Sequence, residues 1–241
     1  MTERVEIGGA VLYCGDCRDI LPGLGRLGTI VSDPPYGIDY AHGGGAGRCG
    51  AGVTAAAAAR GTPPIAGDAE DFDPAHLLEF SEVLIWGADH YRARLPESGR
   101  LLAWDKLAGL TPWDSFCDVE FAWHSRSGVA RIYSWKGLAA TKIGENNATR
   151  EHPTQKPLGL MRWCIEQLQS SRLIIDPYMG SGTTGVAALQ LGRRFVGIEI
   201  ERRWFDLACR RIAEAAAQGQ LDLPAPPRAA RLAEQPDLLG R

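Results

Sequence analysis

The stretch RLIIDPYMGSGTTGVAALQLGRRFVGIEI, residues 172–200, decides the fold of this chain. A short apolar run ends at Asp176, a glycine-rich loop follows, and a segment of helical composition leads to a second apolar run. Apolar strands that alternate with helices are typical of parallel sheets, because each helix returns the chain to the starting edge. We therefore expect an α/β fold.

The glycine loop in this stretch has the spacing of a nucleotide-binding turn. Gly180, Gly182 and Gly185 open the predicted helix, and Glu199 ends the next predicted strand. Glycines let a ligand approach the backbone, and a carboxylate at this distance can accept hydrogen bonds from a ribose. The glycines alone would also suit a tight strand-to-helix turn without a ligand. A Walker phosphate loop is excluded, because no lysine precedes the two threonines.

Asp176 distinguishes between two nucleotide ligands of this kind of loop. A carboxylate beside the loop would repel the pyrophosphate of NAD, whereas it suits the amino group of a methionine moiety. S-adenosylmethionine carries a sulfonium and an amino group and has no phosphate. We therefore expect S-adenosylmethionine as the cofactor.

A second motif ends an earlier strand. Residues 28–33, GTIVSD, predict a buried strand, and Pro34, Pro35 and Tyr36 follow Asp33 directly. Prolines cannot continue a central strand, so they would present the carboxylate and the ring on a stiff turn. A plain strand-ending turn is the alternative interpretation of this tetrapeptide.

Together these motifs resemble the beta group of DNA amino-methyltransferases, in which the catalytic motif precedes the glycine loop. The resemblance runs from about residue 12 to 212. It rests on Asp33-Pro34-Pro35-Tyr36, on GDC at 15–17, on HPTQKP at 152–157, and on DPYMGSGTT followed by VGIEIE. It implies a Rossmann-like S-adenosylmethionine-dependent methyltransferase fold with permuted motif order, a mostly parallel sheet and a small recognition insert.

The resemblance also assigns roles to residues. The catalytic residues would be Asp33, Pro34, Pro35 and Tyr36. The cofactor-binding residues would be Asp16, His152, Lys156, Asp176, Tyr178, Gly180, Ser181, Gly182, Thr183 and Glu199. The family more often has Phe at the position of Tyr178. Asp33 and the carbonyl of Pro34 would accept the two N–H bonds of an exocyclic amino group, while Tyr36 stacks on the flipped base.

The implied function is site-specific methylation of an exocyclic amino group in DNA. Adenine is favoured, because family members that act on cytosine more often begin the motif with Ser, and cytosine stays the alternative. A non-catalytic module that binds the cofactor or DNA is a third interpretation. The presence of Asp33, Tyr36 and Glu199 together argues against it.

A stretch of basic and aromatic residues predicts the DNA contacts. Residues 121–156 carry six basic side chains against two acidic ones, with Trp123, Tyr133 and Trp135 among them. Such a stretch can neutralise phosphates and stack on bases, although a solvated loop region would have the same composition. The predicted contacts are Arg126, Arg131, Lys136 and Lys142.

Composition and the spacing of the motifs predict the domain organisation of the chain. We expect a methyltransferase domain over 1–217, with a mobile Gly/Ala-rich loop at about 41–67 and a recognition insert at about 107–150, then a flexible tail over 218–241. DPAHLLEF, at 73–80, has a helix N-terminal signature, and DVEFAWHS and ARIYSW predict a strand pair.

The remaining expectations concern surroundings and partners. The net charge is −3, there is no membrane-length apolar run, and the six cysteines lack framework spacing. These features favour the cytoplasm. Cys14 and Cys17 form one C-x-x-C without a second pair, so we expect no metal site. The expected partner is double-stranded DNA, with a monomer or homodimer and a companion restriction nuclease left open.

Overall fold

The structure, a computed structural model, describes residues 2–39, 64–107, 118–135, 155–169 and 172–222. In these residues one nine-stranded sheet forms. Its strands are β1 Glu3–Ile7, β2 Ala10–Cys14, β3 Thr29–Ser32, β4 Val83–Trp86, β5 Arg100–Asp105, β6 Val119–His124, β7 Arg131–Ser134, β8 Leu173–Asp176 and β9 Arg194–Glu199. The α-helices are α1 Cys17–Ile20, α2 Leu158–Glu166, α3 Thr183–Gln190 and α4 Arg202–Asp222. Two 3₁₀ turns cover Leu21–Leu24 and Arg92–Arg94.

The strand order is β1-β2-β9-β8-β3-β4-β6-β5-β7. Strands β2, β9, β8, β3 and β4 run parallel to one another, whereas β1 and β6 are antiparallel to their neighbours. The expected α/β fold with a mostly parallel sheet is therefore confirmed.

The central strands are mostly apolar because both faces of the sheet are covered. In β3 and β4 every residue is buried. Successive residues alternate between two cores: Val31 packs on the face covered by α2, α3 and α4, and Ile30 on the opposite face. Phe72, Leu77 and Phe80, which precede β4, help to cover that opposite face.

The parallel arrangement brings several polar residues to one edge of the sheet. The carboxyl ends of β2, β9, β8, β3 and β4 all meet there, and we call this the carboxyl edge. Asp33 follows β3, Asp176 ends β8 and Glu199 ends β9. Ligands of open α/β sheets bind at this edge. The opposite edge, where these strands begin, we call the amino edge.

Two predictions about secondary structure are wrong. β6 and β7 both form, but they do not pair, because β5 lies between them and pairs with each. Residues 73–80 form turns rather than a helix. The N-terminal signature is nevertheless real at its first residue, since Asp73 Oδ1 accepts the Ala75 N–H at 3.0 Å.

Parts of the predicted loop, insert and tail lie outside the described residues, namely 41–63, 108–117, 136–150 and 223–241. The boundaries drawn from the sequence therefore stay predictions. Within the described ranges, no helix combines the length and the apolar character that crossing a membrane requires.

Candidate active site

The turn after β3 is held by a buried carboxylate from a distant part of the sequence. Asp68 is 4% exposed, and its Oδ1 accepts the N–H groups of Tyr36 at 3.0 Å, Gly37 at 2.9 Å and Ile38 at 3.3 Å. Pro34 and Pro35 end the strand, and Asp68 then satisfies the backbone donors that follow. The two prolines and the Asp68 carboxylate therefore both hold this turn in place.

Asp33, Tyr36 and Lys156 form one hydrogen-bonded cluster on this turn. The Lys156 ammonium donates to both oxygens of Asp33 at 2.8 Å and to the Tyr36 hydroxyl at 2.9 Å. The Tyr36 hydroxyl donates in turn to Asp33 Oδ1 at 2.5 Å. Burial raises the pKa of Asp33 against the opposing effect of Lys156. The predicted catalytic carboxylate and ring are thus brought together.

Glu120 completes this cluster, and the sequence analysis did not identify it. It lies in β6, and its Oε2 is 3.0 Å from Lys156 Nζ, while its other oxygen forms an ion pair with Lys106. Burial alone would raise the pKa of Glu120, but Lys156 and Lys106 outweigh it and hold the pKa at about 2. For Lys156, burial lowers the pKa, but Asp33 and Glu120 reverse that effect and the pKa is raised.

The cluster opens into a pocket shared with the glycine loop. The pocket is lined by Asp33, Gln155, Lys156, Met161, Asp176, Tyr178, Met179, Gly180, Ser181, Thr183 and Thr184. Asp176 accepts from Ser32 Oγ at 2.5 Å and from the Tyr178 N–H at 3.1 Å, and burial raises its pKa to about 6. The predicted catalytic acid and most of the predicted cofactor residues therefore face one cavity.

Glu199 shapes the loop from the adjacent strand. Its carboxylate accepts the Gly180 N–H at 2.9 Å and the Glu201 N–H at 2.8 Å. Burial nevertheless raises its pKa to about 7. Gly182 has φ +77°, and a Cβ there would lie 3.0 Å from the Cβ of Ala208 in α4, so glycine suits the position for two reasons.

Arg211 of α4 also supports the loop, although its pattern in the sequence suggested only a solvated helix face. Its Nη1 donates to the Ser181 carbonyl at 2.6 Å, to Ser181 Oγ at 2.8 Å and to Thr183 Oγ1 at 3.1 Å. Helical spacing does not reveal such a contact, because it depends on how α4 packs against α3.

The ring of Tyr36 has a planar neighbour. The His90 imidazole stacks on it with ring centres 5.0 Å apart and an interplanar angle of 19°. Lys156 Nζ is 2.9 Å from the hydroxyl but 5.4 Å from the ring centre, so it lies beyond the hydroxyl end rather than over the face. Gly87 packs against the ring so closely that a Cβ would clash with it. His90 was not identified from the sequence.

The other predicted site residues are more scattered. Asp16 follows β2 at the carboxyl edge and caps α1, accepting the Arg18 N–H at 2.9 Å. Arg126 follows β6 at the amino edge, because the preceding residue, Ser125, accepts the N–H of Val83 at the start of β4. The structure therefore does not bring Arg126 to the turn at 33–36. Arg131 begins β7, the last strand of the sheet. Lys136, Lys142 and His152 lie outside the described residues.

Comparison with known proteins identifies related sequences and structures. The sequence profile of a DNA methylase family matches residues 104–210, which include Lys156, the glycine loop and Glu199. The match covers less than half of the chain. The motif at 33–36 lies before the matched region.

The curated proteins that are similar to part of this chain include type II methyltransferases. M2.MboI of Moraxella bovis is 49% identical over 65 residues, which cover 27% of this chain and 24% of that protein. M2.DpnII of Streptococcus pneumoniae is 40% identical over 79 residues, covering 32% and 29%. The alignments thus span about a quarter to a third of these relatives' own length.

Two solved structures share the fold of this chain. The PvuII DNA methyltransferase, which is cytosine-N4-specific, has a TM-score of 0.52 at 13% identity, covering 88% of this chain and 93% of that one. TTHA0409 from Thermus thermophilus has a TM-score of 0.51 at 17% identity, covering 85% and 95%. At this identity the likeness establishes the fold alone.

Proposed function

We propose that this chain transfers a methyl group from S-adenosylmethionine to the exocyclic amino group of a flipped base in DNA. The observation that carries the proposal is the shared pocket: Asp33, on its stiff turn, faces the same cavity as Gly180 and Asp176. A nucleophile activated at Asp33 would therefore lie next to a cofactor held by the glycine loop.

The pocket suits the proposed cofactor in its charges. Among the described residues that line it, Asp33 and Asp176 are carboxylates and Lys156 is the one ammonium. A ligand with an amino group and a sulfonium gains from such surroundings, whereas a pyrophosphate would be repelled. Glu199 would hold the ribose hydroxyls and Asp176 the amino group. When bound, S-adenosylmethionine supplies an electrophilic methyl group on its sulfonium.

Asp33 would activate the amino group by geometry. The nitrogen lone pair of a base is delocalised into its ring, which makes it a poor nucleophile. Asp33 and the carbonyl of Pro34 would accept its two N–H bonds and draw the nitrogen towards tetrahedral geometry, which frees the lone pair. Because burial raises the pKa of Asp33, this carboxylate can also accept the proton that the methylated nitrogen releases.

Tyr36 would bind the ring of the flipped base. His90 already lies nearly parallel to the Tyr36 ring, so this position accommodates a planar group. Stacking on an aromatic face offsets part of the energy that unpairing the base requires. The turn held by Asp68 keeps the ring and the carboxylate in register during this exchange.

Adenine is the favoured target, because the motif begins with Asp33, and cytosine stays the alternative. We further propose that the partner is double-stranded DNA and that the protein acts in the cytoplasm as a monomer or homodimer, within a restriction-modification system or alone. Arg131, Lys136 and Lys142 are the proposed phosphate contacts. The position of Arg126 at the amino edge gives no support to its predicted DNA contact.

The experiment that tests the function is mapping of modified bases. DNA from cells that express the chain, and from cells that express Asp33→Ala, is sequenced for N6-methyladenine and N4-methylcytosine. We expect one modified base within a recurring site in the first sample and none in the second. Unmodified DNA in both, with protein present, would contradict the proposal.

A further inference from the structure

Both carboxylate oxygens that the proposed reaction needs already accept a hydrogen bond from a side chain of the protein. The Lys156 ammonium has three N–H donors. They are used on Asp33 Oδ1, Asp33 Oδ2 and the Tyr36 hydroxyl. An incoming amino group must place its own N–H on Asp33, so it competes with Lys156 for this carboxylate.

Glu120 offers the displaced ammonium a second position. Glu120 Oε2 is buried and accepts no hydrogen bond within the described part of the chain. It nevertheless lies 3.0 Å from Lys156 Nζ, within ion-pair distance but without hydrogen-bond alignment. A buried acceptor without a donor is costly, and a small rotation of the ammonium would satisfy it.

We propose that Lys156 is a positioning residue that alternates between two carboxylates, bonding Asp33 when no base is bound and Glu120 when the target amino group takes its place. This inference rests on the proposed function. It requires little movement of the side chain, because Lys156 already touches both acids. The cluster keeps its net charge throughout, since no proton has to leave the ammonium.

The pair would serve two purposes at the catalytic turn. Without a base, Lys156 keeps Asp33 aligned and compensates its buried charge. With a base present, Glu120 draws the ammonium away from the nitrogen that acquires positive charge during methyl transfer. Asp33 alone then faces that nitrogen, which favours the transition state.

The variant that tests the inference is Glu120→Gln, measured in the full chain on DNA that carries the mapped site. The amide keeps the shape of Glu120 but removes the charge that receives Lys156. We expect kcat to fall about tenfold to a hundredfold, the range for one charge-assisted hydrogen bond. KM for S-adenosylmethionine should stay unchanged, because Glu120 does not line the glycine loop. Unchanged kcat would overturn the inference.

Glu82→Gln is the matched control. Glu82 is also buried and also bonded to a basic side chain, but at the amino edge. Its loss should reduce stability without changing kcat of the folded enzyme. Equal loss of kcat in both variants would identify a general effect of removing a buried acid and would contradict the proposed role. Should Glu120→Gln fail to fold, Glu120→Asp keeps the charge at a greater distance from Lys156. It is then expected to lower kcat, and unchanged kcat there would overturn the inference.

A second readout isolates the displacement itself. DNA affinity is compared for the natural target base and for a base with hydrogen in place of the amino group. Glu120→Gln should weaken only the first complex, because only the amino group competes with Lys156. Equal weakening of both complexes would overturn the inference. Failure of the wild-type chain to methylate any DNA would instead overturn the proposed function, and the inference with it.

Discussion

The two edges of the sheet bury charged groups of similar kind but with opposite consequences. At the amino edge, the Arg100 Nε donates to His124 Nδ1 at 3.1 Å, and His124 Nε2 bonds Glu82 Oε1 at 3.0 Å. Burial would raise the pKa of Glu82, but His124 and the Gln169 N–H outweigh it, and the pKa is lowered. The charged form of this acid is therefore stabilised by folding.

At the carboxyl edge, burial dominates for three acids. The pKa values of Asp33, Asp176 and Glu199 are all raised. Their ionised forms are destabilised by folding in the absence of a ligand, and a cationic ligand would reverse this. The contrast indicates that the amino-edge network contributes stability, whereas the carboxyl edge is arranged for binding and chemistry.

The largest effect is expected from a substitution at the carboxyl edge. Asp33→Ala should lower kcat by about 10²–10³-fold or more, because it removes an acceptor that acts on the amino nitrogen. S-adenosylmethionine binding should survive, since the glycine loop is unchanged. Single-turnover methylation and calorimetry of cofactor binding check the two halves of this prediction. Turnover equal to that of the wild type would refute the role of Asp33.

A substitution at the amino edge should instead reduce stability. Glu82→Gln should reduce the free energy of unfolding by about 3 kcal/mol, the loss for one partner of a buried pair. Because folding lowers the pKa of Glu82, its contribution is present above the unfolded pKa and is lost as the pH falls through the folded value. Urea unfolding at neutral and acidic pH measures both. A variant as stable as the wild type would show that the network contributes nothing.

Removal of Glu199, the proposed ribose ligand, should have an intermediate effect. Glu199→Ala is expected to weaken S-adenosylmethionine binding by about 1.5–3 kcal/mol, through the loss of charge-assisted hydrogen bonds. Calorimetry at constant pH is the measurement, with Glu201→Ala as a neighbouring control. An affinity unchanged from wild type would exclude Glu199 as the ribose acid.

The raised pKa values predict a pH dependence of cofactor binding. Asp176 and Glu199 have pKa values of about 6 and about 7, so they are partly protonated in mildly acidic solution. Because the cofactor favours their ionised forms, affinity should rise about tenfold or more as the pH increases through this window, with proton release on binding. Calorimetry in buffers of different ionisation enthalpy detects those protons. If the affinity for S-adenosylmethionine fell as the pH increased, in both the wild type and Asp176→Asn, the assignment of these acids would be contradicted.

The smallest expected effect concerns DNA contacts. Arg126 lies at the amino edge, so Arg126→Ala should leave the salt dependence of DNA binding unchanged. Lys136→Ala should reduce the slope of log K against log salt by about one, as expected for one phosphate contact. Binding titrations at several salt concentrations compare the two. If Arg126→Ala reduced the slope of log K against log salt, DNA would have to reach the amino edge, and the predicted DNA contact of Arg126 would be supported.

Most of the fold could be predicted because its signals are local. The buried strand at 28–33 and the strand–helix–strand unit around the glycine loop follow from apolar runs and from glycine and proline positions. The prediction that β6 and β7 pair with each other was wrong for a non-local reason. Both segments look like strands, but which strand lies between them depends on pairing across the whole sheet.

The candidate site divides in the same way. By itself, the sequence determined the two short segments that form the candidate site, namely the turn at 33–36 and the loop at 176–183, because each has its own conformational requirement. Only the tertiary structure decided the partners of Asp33. Lys156 is 123 positions away and Glu120 belongs to another strand. Strand order, which no local pattern encodes, places their charges within ion-pair distance in a buried site.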